Sequence, residues 1–254
     1  MDELICGYDK AALASNFRRV RDDLERAGAV SPRGRTPLLI AATKTVPVEV
    51  INYSAEHLGL TDIGENRVQE LLDKYEALDK SLRLHFIGGL QTNKVKYIID
   101  KVSMIHSVDS LRLAEEISKR AVEHGIVMDV TAEVNIGRET SKGGVMPEEA
   151  VDFALRIAEL PGISVRGIMT MAPKCDEKSD YRKYFEETYR IFVDFLRKKR
   201  HNIIEPVLSM GMSESYVTAA ECGATAVRVG TALFGRREYV TKSESPDDNK
   251  IIGG

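Results

Sequence analysis

Apolar and polar residues alternate along the chain with two different periods. Near the start, apolar residues recur at spacings of four, three and four, which is typical of one face of an amphipathic helix. This spacing predicts a helix over residues 9–28, closed by Gly28. The apolar positions are Leu13, Phe17, Val20 and Leu24.

Beyond residue 37, short apolar runs alternate with segments of helical period. The runs are brief and bounded, as expected for buried strands of a parallel sheet. They end at Lys44, Gly64, Gly88, Val108, Ile136, Met171, Met210 and Val229. The helical segments lie at about 48–58, 67–79, 92–100, 110–124, 148–160, 180–200 and 214–222.

Eight strands that alternate with helices predict a single α/β domain, a (β/α)8 TIM barrel with an extra N-terminal helix. We expect this domain to span 1–240, and the polar sequence at 241–254 predicts a mobile tail. A doubly wound open sheet is the structural alternative, because alternation alone does not establish that a sheet closes.

The first predicted strand delivers Lys44 to the edge of the sheet where parallel α/β folds build their sites. We expect partial desolvation there to lower the pKa of its amine. A neutral amine attacks an aldehyde, so Lys44 is a candidate Schiff-base residue. The alternative is a lysine that only ends a strand in solvent, since most lysines are exposed.

Asn66 follows the second strand, with Gln69 three residues later. This spacing predicts a capping box at a helix N-terminus. The functional interpretation is a neutral hydrogen-bonding group beside Lys44 on the neighbouring strand. His85, at the start of the third strand, is expected to be structural, and the other histidines show no metal-ligand spacing.

Small residues follow the seventh and eighth strands, where helices are expected to begin. Ser213 follows one strand and is expected to start the next helix, whereas Gly230 and Thr231 follow the other. Free N–H groups at helix starts bind anions, and barrels often hold a phosphate after these two strands. Either feature alone fits an ordinary cap or turn, and the two together favour a phosphate site.

A lysine amine and a phosphate site at one barrel mouth predict a phosphorylated aldehyde as the ligand, and pyridoxal 5′-phosphate (PLP) fits. Arg228, on the eighth strand, then faces the pyridine nitrogen. An arginine stays protonated and does not give that nitrogen a proton, so the ring is a weaker electron sink than one paired with Asp or Glu. The alternative for Arg228 is an ion pair on the barrel rim.

The composition argues against several classes of function. The 254 residues carry a net charge of −3, so no basic field attracts nucleic acid or a membrane surface. No apolar run is long enough to span a bilayer, and the N-terminus lacks the features of a signal peptide. Three widely separated cysteines indicate neither a disulfide framework nor a zinc site. We expect a cytoplasmic protein and a monomer.

Segments from about 37 to 239 resemble the pyridoxal-phosphate homeostasis protein family, whose barrel is similar to the N-terminal domain of alanine racemase. The matching segments are 42–44 (ATK), 63–70 (IGENRVQE), 85–88 (HFIG), 90–94 (LQTNK), 141–143 (SKG), 167–173 (GIMTMAP), 208–213 (LSMGMS), 227–231 (VRVGT) and 234–235 (FG). Leu84 and Arg67 differ from the residues common in the family, and neither lies in the lysine or phosphate motifs.

The resemblance implies a carrier that holds PLP as a Schiff base on Lys44 and buffers it or delivers it to PLP-dependent apo-enzymes. It also implies no robust catalytic turnover and an influence on the balance of amino acids and keto acids. Carried over by motif, Arg228 faces the ring nitrogen and Asn66 lies near the ring. Ser209 or Ser213, with Gly230 and Thr231, holds the phosphate.

Two other functions are compatible with these residues. One is an amino-acid racemase, for which the sequence beyond the barrel is expected to be too short, because racemases of this fold carry a second, β-rich domain. A barrel without that domain leaves the cofactor open to water, which suits exchange better than controlled carbanion chemistry. The other is a barrel enzyme whose Lys44 forms Schiff bases with sugar phosphates.

Overall fold

The computed structural model describes residues 3–177, 180–198 and 205–235. A two-stranded antiparallel hairpin, β1 (Leu4–Ile5) and β2 (Tyr8–Asp9), comes first. Its turn residues both have positive φ, 46° at Cys6 and 82° at Gly7, as two-residue hairpin loops require. This hairpin is not predictable from the sequence, because strands of two residues carry no readable period.

The long helix α1 (Lys10–Ala29) follows, and Asp9 caps it by accepting a hydrogen bond from the Ala12 N–H at 2.8 Å. The predicted helix is confirmed, but Gly28 does not close it. A Cβ at Gly28 would lie 2.7 Å from the carbonyl oxygen of Arg35, so a glycine is needed here for close packing of the helix on the following loop.

Eight parallel strands then close into a barrel in the order β10-β3-β4-β5-β6-β7-β8-β9. Closure confirms the predicted (β/α)8 barrel, and the open-sheet alternative is wrong. The strands are β3 (Leu38–Ala42), β4 (Asp62–Glu65), β5 (Arg83–Phe86), β6 (Met104–Val108), β7 (Met128–Val134), β8 (Ile163–Thr170), β9 (Val207–Ser209) and β10 (Ala226–Val229).

Helices connect the strands and cover the outside of the barrel. They are α2 (Val48–Leu58), α3 (Val68–Tyr75), a 3-10 helix (Thr92–Tyr97), α4 (Leu111–Glu123), α5 (Ala150–Ile157), α6 (Tyr181–Lys198), α7 (Tyr216–Glu221) and α8 (Thr231–Phe234). Their apolar faces pack on the strands in one continuous core. Within the described ranges, no helix is both long and apolar enough to cross a membrane.

Strand register decides which side chains point into the barrel. Arg228 pairs with Ile40, so their side chains share one face of the sheet, and residues two and four positions after Ile40 return to that face. The same alternation places Ser209, opposite Ala226, on the inner face. The predicted tail at 241–254 and the end of the predicted 1–240 domain lie outside the described residues, so both spans stay predictions.

Candidate functional site at the carboxyl end of the barrel

Lys44 lies two residues after β3, at the mouth formed by the carboxyl ends of the strands. Its side chain is exposed, so the partial desolvation predicted from the sequence is wrong for this structure. The next residue, Thr45, has a φ of 59°, a left-handed conformation that a β-branched residue rarely adopts. Backbone strain directly after the lysine shows that the surrounding contacts hold this turn in place.

Those contacts come from Lys74 of α3, a buried ammonium below the turn. Its Nζ donates to the carbonyl oxygen of Thr43 at 2.9 Å and to Oε1 of both Glu65 and Glu70 at 2.8 Å. Glu70 in turn accepts from the N–H of Thr45. Burial raises the pKa of Glu65, even though Lys74 and Thr43 donate to it and act in the opposite direction. Lys74 therefore holds one end of the turn that carries Lys44 directly and the other end through Glu70.

Asn66 lies next to the same mouth, directly after β4, and its side chain is half-buried. The predicted capping box is wrong: α3 begins at Val68, one residue too late for Asn66 to be its N-cap, and Gln69 donates to Asp73 instead. Asn66 is fixed through its backbone. A Cβ at Gly88 would lie 2.2 Å from the Asn66 carbonyl oxygen, so only glycine permits this approach.

Arg228 of β10 points into the barrel and is only 4% exposed. Its guanidinium donates to Ser209 Oγ at 2.6 Å and to the Thr170 carbonyl oxygen at 2.8 Å. Burial lowers the pKa of Arg228 to about 10, while the nearby Glu133 acts in the opposite direction. The group remains a cation at neutral pH. The rim ion pair considered as an alternative is wrong, because the two hydrogen-bond partners are neutral and buried.

Glu133 of β7 is a buried carboxyl group that the sequence analysis missed. It is 5% exposed, and burial together with the charge of Asp109 raises its pKa to about 7, although Arg228 acts against this shift. A Cβ at Gly143 would lie 3.3 Å from Asp109 Oδ2 and 3.9 Å from Glu133 Oε1, so the loop at 141–144 lies over both acids. An acid with this pKa exchanges its proton near neutral pH.

Ser213 reaches the start of α8 from the neighbouring loop. Its Oγ accepts from the N–H groups of Gly230 and Ala232 at 3.1 and 3.2 Å. Ser213 does not start a helix, contrary to the prediction, because α7 begins at Tyr216. Thr231 is exposed at this point, and Gly230 lies close to β3, where a Cβ would be 3.2 Å from the Ala42 carbonyl oxygen. The closing of the barrel thus brings this N–H pair next to the strand that carries Lys44.

The candidate residues divide into two groups. Lys44, Asn66, Ser213, Gly230 and Thr231 all follow the carboxyl ends of their strands. Ser209 is fully buried deeper in the barrel as a partner of Arg228, away from the N–H groups that Ser213 contacts. No group of three or more His, Cys, Asp or Glu side chains could hold a metal ion among the described residues.

Sequence reasoning did not find Glu133 or Lys74. A signal for Glu133 existed, because the predicted strand at 128–136 carries two carboxyl groups, Asp129 and Glu133, and a carboxyl group is rarely buried without a polar role. Lys74 gave no comparable signal, since a lysine on an amphipathic helix is ordinarily solvated. His85 is buried, and it is the third residue of β5 and not its first.

Comparisons of the sequence with known proteins agree on the family to which this chain belongs. Residues 8–238 match the family described as alanine racemase, N-terminal domain. A pyridoxal phosphate homeostasis protein of Aquifex aeolicus is 48% identical over 229 residues, covering 89% of this chain and 97% of that protein.

Two solved structures are similar in fold. The structure of PipY from Synechococcus elongatus PCC7942 with PLP bound has a TM-score of 0.75 at 29% identity, covering 88% of this chain and all of that one. An alanine racemase from Clostridium difficile 630 has a TM-score of 0.73 at 19% identity, which supports the fold alone; the match covers 90% of this chain and 57% of the racemase. By its sequence and its barrel, this chain belongs to the pyridoxal phosphate homeostasis proteins, within the family of the alanine racemase N-terminal domain.

Proposed function

We propose that this protein binds PLP in the mouth of the barrel and serves in homeostasis of the cofactor, with Lys44 as the residue of covalent attachment. One observation carries the proposal: an exposed lysine, a buried guanidinium and a pair of converging N–H groups belong to adjacent strands of one barrel. Lys44 follows β3, whereas Arg228 and Gly230 belong to the end of its neighbour β10.

The side chains fit such a ligand in charge and in kind. PLP has an aldehyde, a pyridine nitrogen and a phosphate, and when bound it supplies an electrophilic carbon and a ring that accepts electron density. Lys44 offers an exposed amine, and Arg228 offers a buried donor that stays protonated. Asn66 adds a neutral amide beside the mouth, where it is proposed to lie near the ring.

For the phosphate, the proposal selects Ser213 with Gly230 and Thr231. The Ser213 hydroxyl oxygen accepts from two N–H groups at the start of α8. These N–H groups therefore converge on a position where a phosphate oxygen would also find donors. Ser209 is assigned to Arg228 instead, because its hydroxyl group is fully buried in that contact.

Attachment is a condensation. Lys44 would supply the nitrogen that bonds to the aldehyde carbon of PLP, with the aldehyde oxygen and two hydrogens of the amine lost as water, and hydrolysis would reverse the attachment. Lys74 and Glu70 keep the amine in reach by holding the turn, since Lys74 binds the carbonyl oxygen before Lys44 and Glu70 the N–H after it. Exposure of Lys44 gives water access to the bond, which favours reversible loading and release over sequestered chemistry.

We propose that the released cofactor passes to PLP-dependent apo-enzymes, with a resulting influence on the balance of amino acids and keto acids. Amino-acid turnover is proposed to be absent or weakly racemase-like, because the Arg228 cation does not protonate the ring nitrogen. A racemase-like enzyme is the alternative function. A cytoplasmic location and a monomeric state stay predictions from the sequence.

The phosphate assignment gives a direct test by absorbance titration. PLP is expected to bind much more tightly than pyridoxal, since each charge-assisted hydrogen bond to the phosphate contributes roughly 1.5–3 kcal/mol. Ser213→Ala should weaken PLP binding and leave pyridoxal binding unchanged, because pyridoxal has no phosphate to lose. Equal affinities for PLP and pyridoxal in the unmodified protein would refute the phosphate site.

A further inference from the structure

A continuous hydrogen-bond chain runs through the interior of the barrel, away from the mouth that carries Lys44. Arg228 Nη1 donates to Ser209 Oγ at 2.6 Å, and Ser209 Oγ lies 2.9 Å from His106 Nδ1. His106 Nε2 lies 3.0 Å from His85 Nδ1, and His85 Nε2 lies 2.9 Å from Asp62 Oδ1. All five residues are buried. They are called the hydrogen-bond chain below.

The two ends of the hydrogen-bond chain have fixed roles. Arg228 only donates, because a guanidinium has no acceptor. Asp62 only accepts: burial would raise its pKa, but hydrogen bonds from His85, Arg83 and Thr61 outweigh burial and lower it to about 2. Arg83 holds both carboxylate oxygens of Asp62, at 2.8 and 2.7 Å.

These two fixed roles determine which atom carries each hydrogen between Arg228 and Asp62. Because Asp62 accepts, His85 carries a proton on Nε2, and its Nδ1 is the ring nitrogen left to accept from His106. His106 therefore donates from Nε2 and accepts at Nδ1. Ser209 then donates its hydroxyl hydrogen to His106, which leaves its oxygen free to accept from Arg228. In this arrangement each donor has an acceptor, and all hydrogen bonds point from Arg228 towards Asp62.

The reverse arrangement is less favourable. If His85 donated from Nδ1, His106 would have to accept at Nε2 and donate from Nδ1 to Ser209. The Ser209 oxygen would then receive two donors, and its own hydrogen would have no acceptor in the chain, which is costly for a buried group. Burial, with the charge of Arg228 acting in the same direction, lowers the pKa of His106 well below its usual value, so that ring stays neutral.

We infer that His106 and His85 are positioning residues, which hold Ser209 as an acceptor for Arg228 and so fix the guanidinium that faces the pyridine nitrogen of PLP. The inference rests on the proposed function for the cofactor, whereas the arrangement of hydrogens can be measured without it. His85 and His106 touch Arg228 only through Ser209, so their effect on the cofactor is indirect.

The far end of the hydrogen-bond chain opens into a cavity of about 900 Å³ at the amino end of the barrel. Asp62, His85 and His106 line it, and so does Asp129, which pairs with Arg166 at 2.9 Å. Asp62 and Asp129 therefore provide a matched variant and control. Asp62→Asn and Asp129→Asn each remove one carboxylate charge from the same cavity, but only Asp62 belongs to the hydrogen-bond chain.

The first measurement is ¹⁵N NMR of the histidine rings in the PLP-free protein. His85 and His106 are expected to carry their protons on Nε2 in the unmodified protein. In Asp62→Asn the carboxylate charge that fixes the His85 proton on Nε2 is lost, so the ¹⁵N shifts of both rings are expected to change. Asp129→Asn should change neither ring. Protons on Nδ1 of both rings in the unmodified protein would overturn the inference, and this result needs no variant to fold.

The second measurement is PLP affinity and the position of the visible band in the same three proteins. Asp62→Asn is expected to weaken PLP binding by about two- to tenfold, the range for one neutral hydrogen bond, and to shift the band. Asp129→Asn should match the unmodified protein. Equal effects of both variants would indicate a charge effect through space and overturn the positioning role. If the unmodified protein forms no PLP adduct on Lys44, the proposed function is wrong. The NMR measurement on the PLP-free protein still shows, independently of that result, whether the hydrogens are arranged as inferred.

Discussion

Replacement of Glu133 by glutamine should stabilise the PLP-free protein at alkaline pH and leave its stability at acid pH unchanged. Burial and Asp109 raise the pKa of Glu133 from 4.5 to about 7. One pKa unit corresponds to about 1.4 kcal/mol, so the buried carboxylate costs about 3 kcal/mol when it must ionise in the folded state. The amide of glutamine resembles the protonated acid and avoids this cost.

The sign follows from proton binding in the two states. Below pH 4.5, Glu133 is protonated whether the chain is folded or not, and the shift has no effect. Between pH 4.5 and about 7, only the folded state keeps the proton, so the stability contribution of Glu133 falls as pH rises. Above about pH 7 the full penalty applies.

The assay is urea unfolding of the unmodified protein, Glu133→Gln and Glu159→Gln across this pH range. Glu159 is exposed, so its variant controls for the loss of one negative charge. The Glu133→Gln difference in unfolding free energy should grow from near zero at pH 4 to about 3 kcal/mol at pH 8. A difference that does not change with pH, or a loss of stability at pH 8, would refute the reasoning about burial.

Three further predictions concern the residues around Lys44. Gly88→Ala should lower the thermal unfolding temperature or displace Asn66, because the new Cβ would lie 2.2 Å from the Asn66 carbonyl oxygen. Gly89→Ala is the control: its Cβ would have no atom within 4 Å, so its unfolding temperature should not change. Lys74→Met should lower the free energy of unfolding in urea by roughly 3–5 kcal/mol, because Glu65 stays buried without its charged partner. Adding Glu65→Gln should recover part of that loss. An unchanged unfolding free energy in Lys74→Met would contradict the role of Lys74. PLP-loaded protein incubated with L-alanine in deuterated water should incorporate little α-deuterium, and turnover at about 1 s⁻¹ or more that disappears in Lys44→Ala would favour the racemase alternative.

The barrel was predictable because short runs rich in apolar residues recur between segments of helical period, so the number and the order of the strands and helices are visible in the sequence. Lys44, Gly230 and Thr231 were predictable for a related reason: each follows directly after such a run, and the carboxyl ends of parallel strands meet at one edge. These positions depend only on where a strand ends.

The hydrogen-bond chain and the Lys74 contacts could not be predicted, because they depend on register and on closure. Ser209 and His106 are 103 residues apart, and they meet only because their strands both face the barrel interior. The capping box at Asn66 was wrong for a smaller reason. The helix begins at Val68, one residue later than a cap at Asn66 requires, and a shift of this size is not visible in a hydrophobic pattern.

If Lys44 holds PLP, borohydride reduction will fix the cofactor irreversibly to this lysine. PLP-loaded protein is reduced with borohydride, digested and analysed by mass spectrometry, with Lys44→Ala treated in parallel. We expect one phosphopyridoxyl group per chain, located on the peptide that contains Lys44. It should be lost in Lys44→Ala without loss of the fold, because the exposed side chain lies outside the core. A full-stoichiometry adduct on another lysine in the unmodified protein, or an undiminished adduct in Lys44→Ala, would contradict attachment at Lys44.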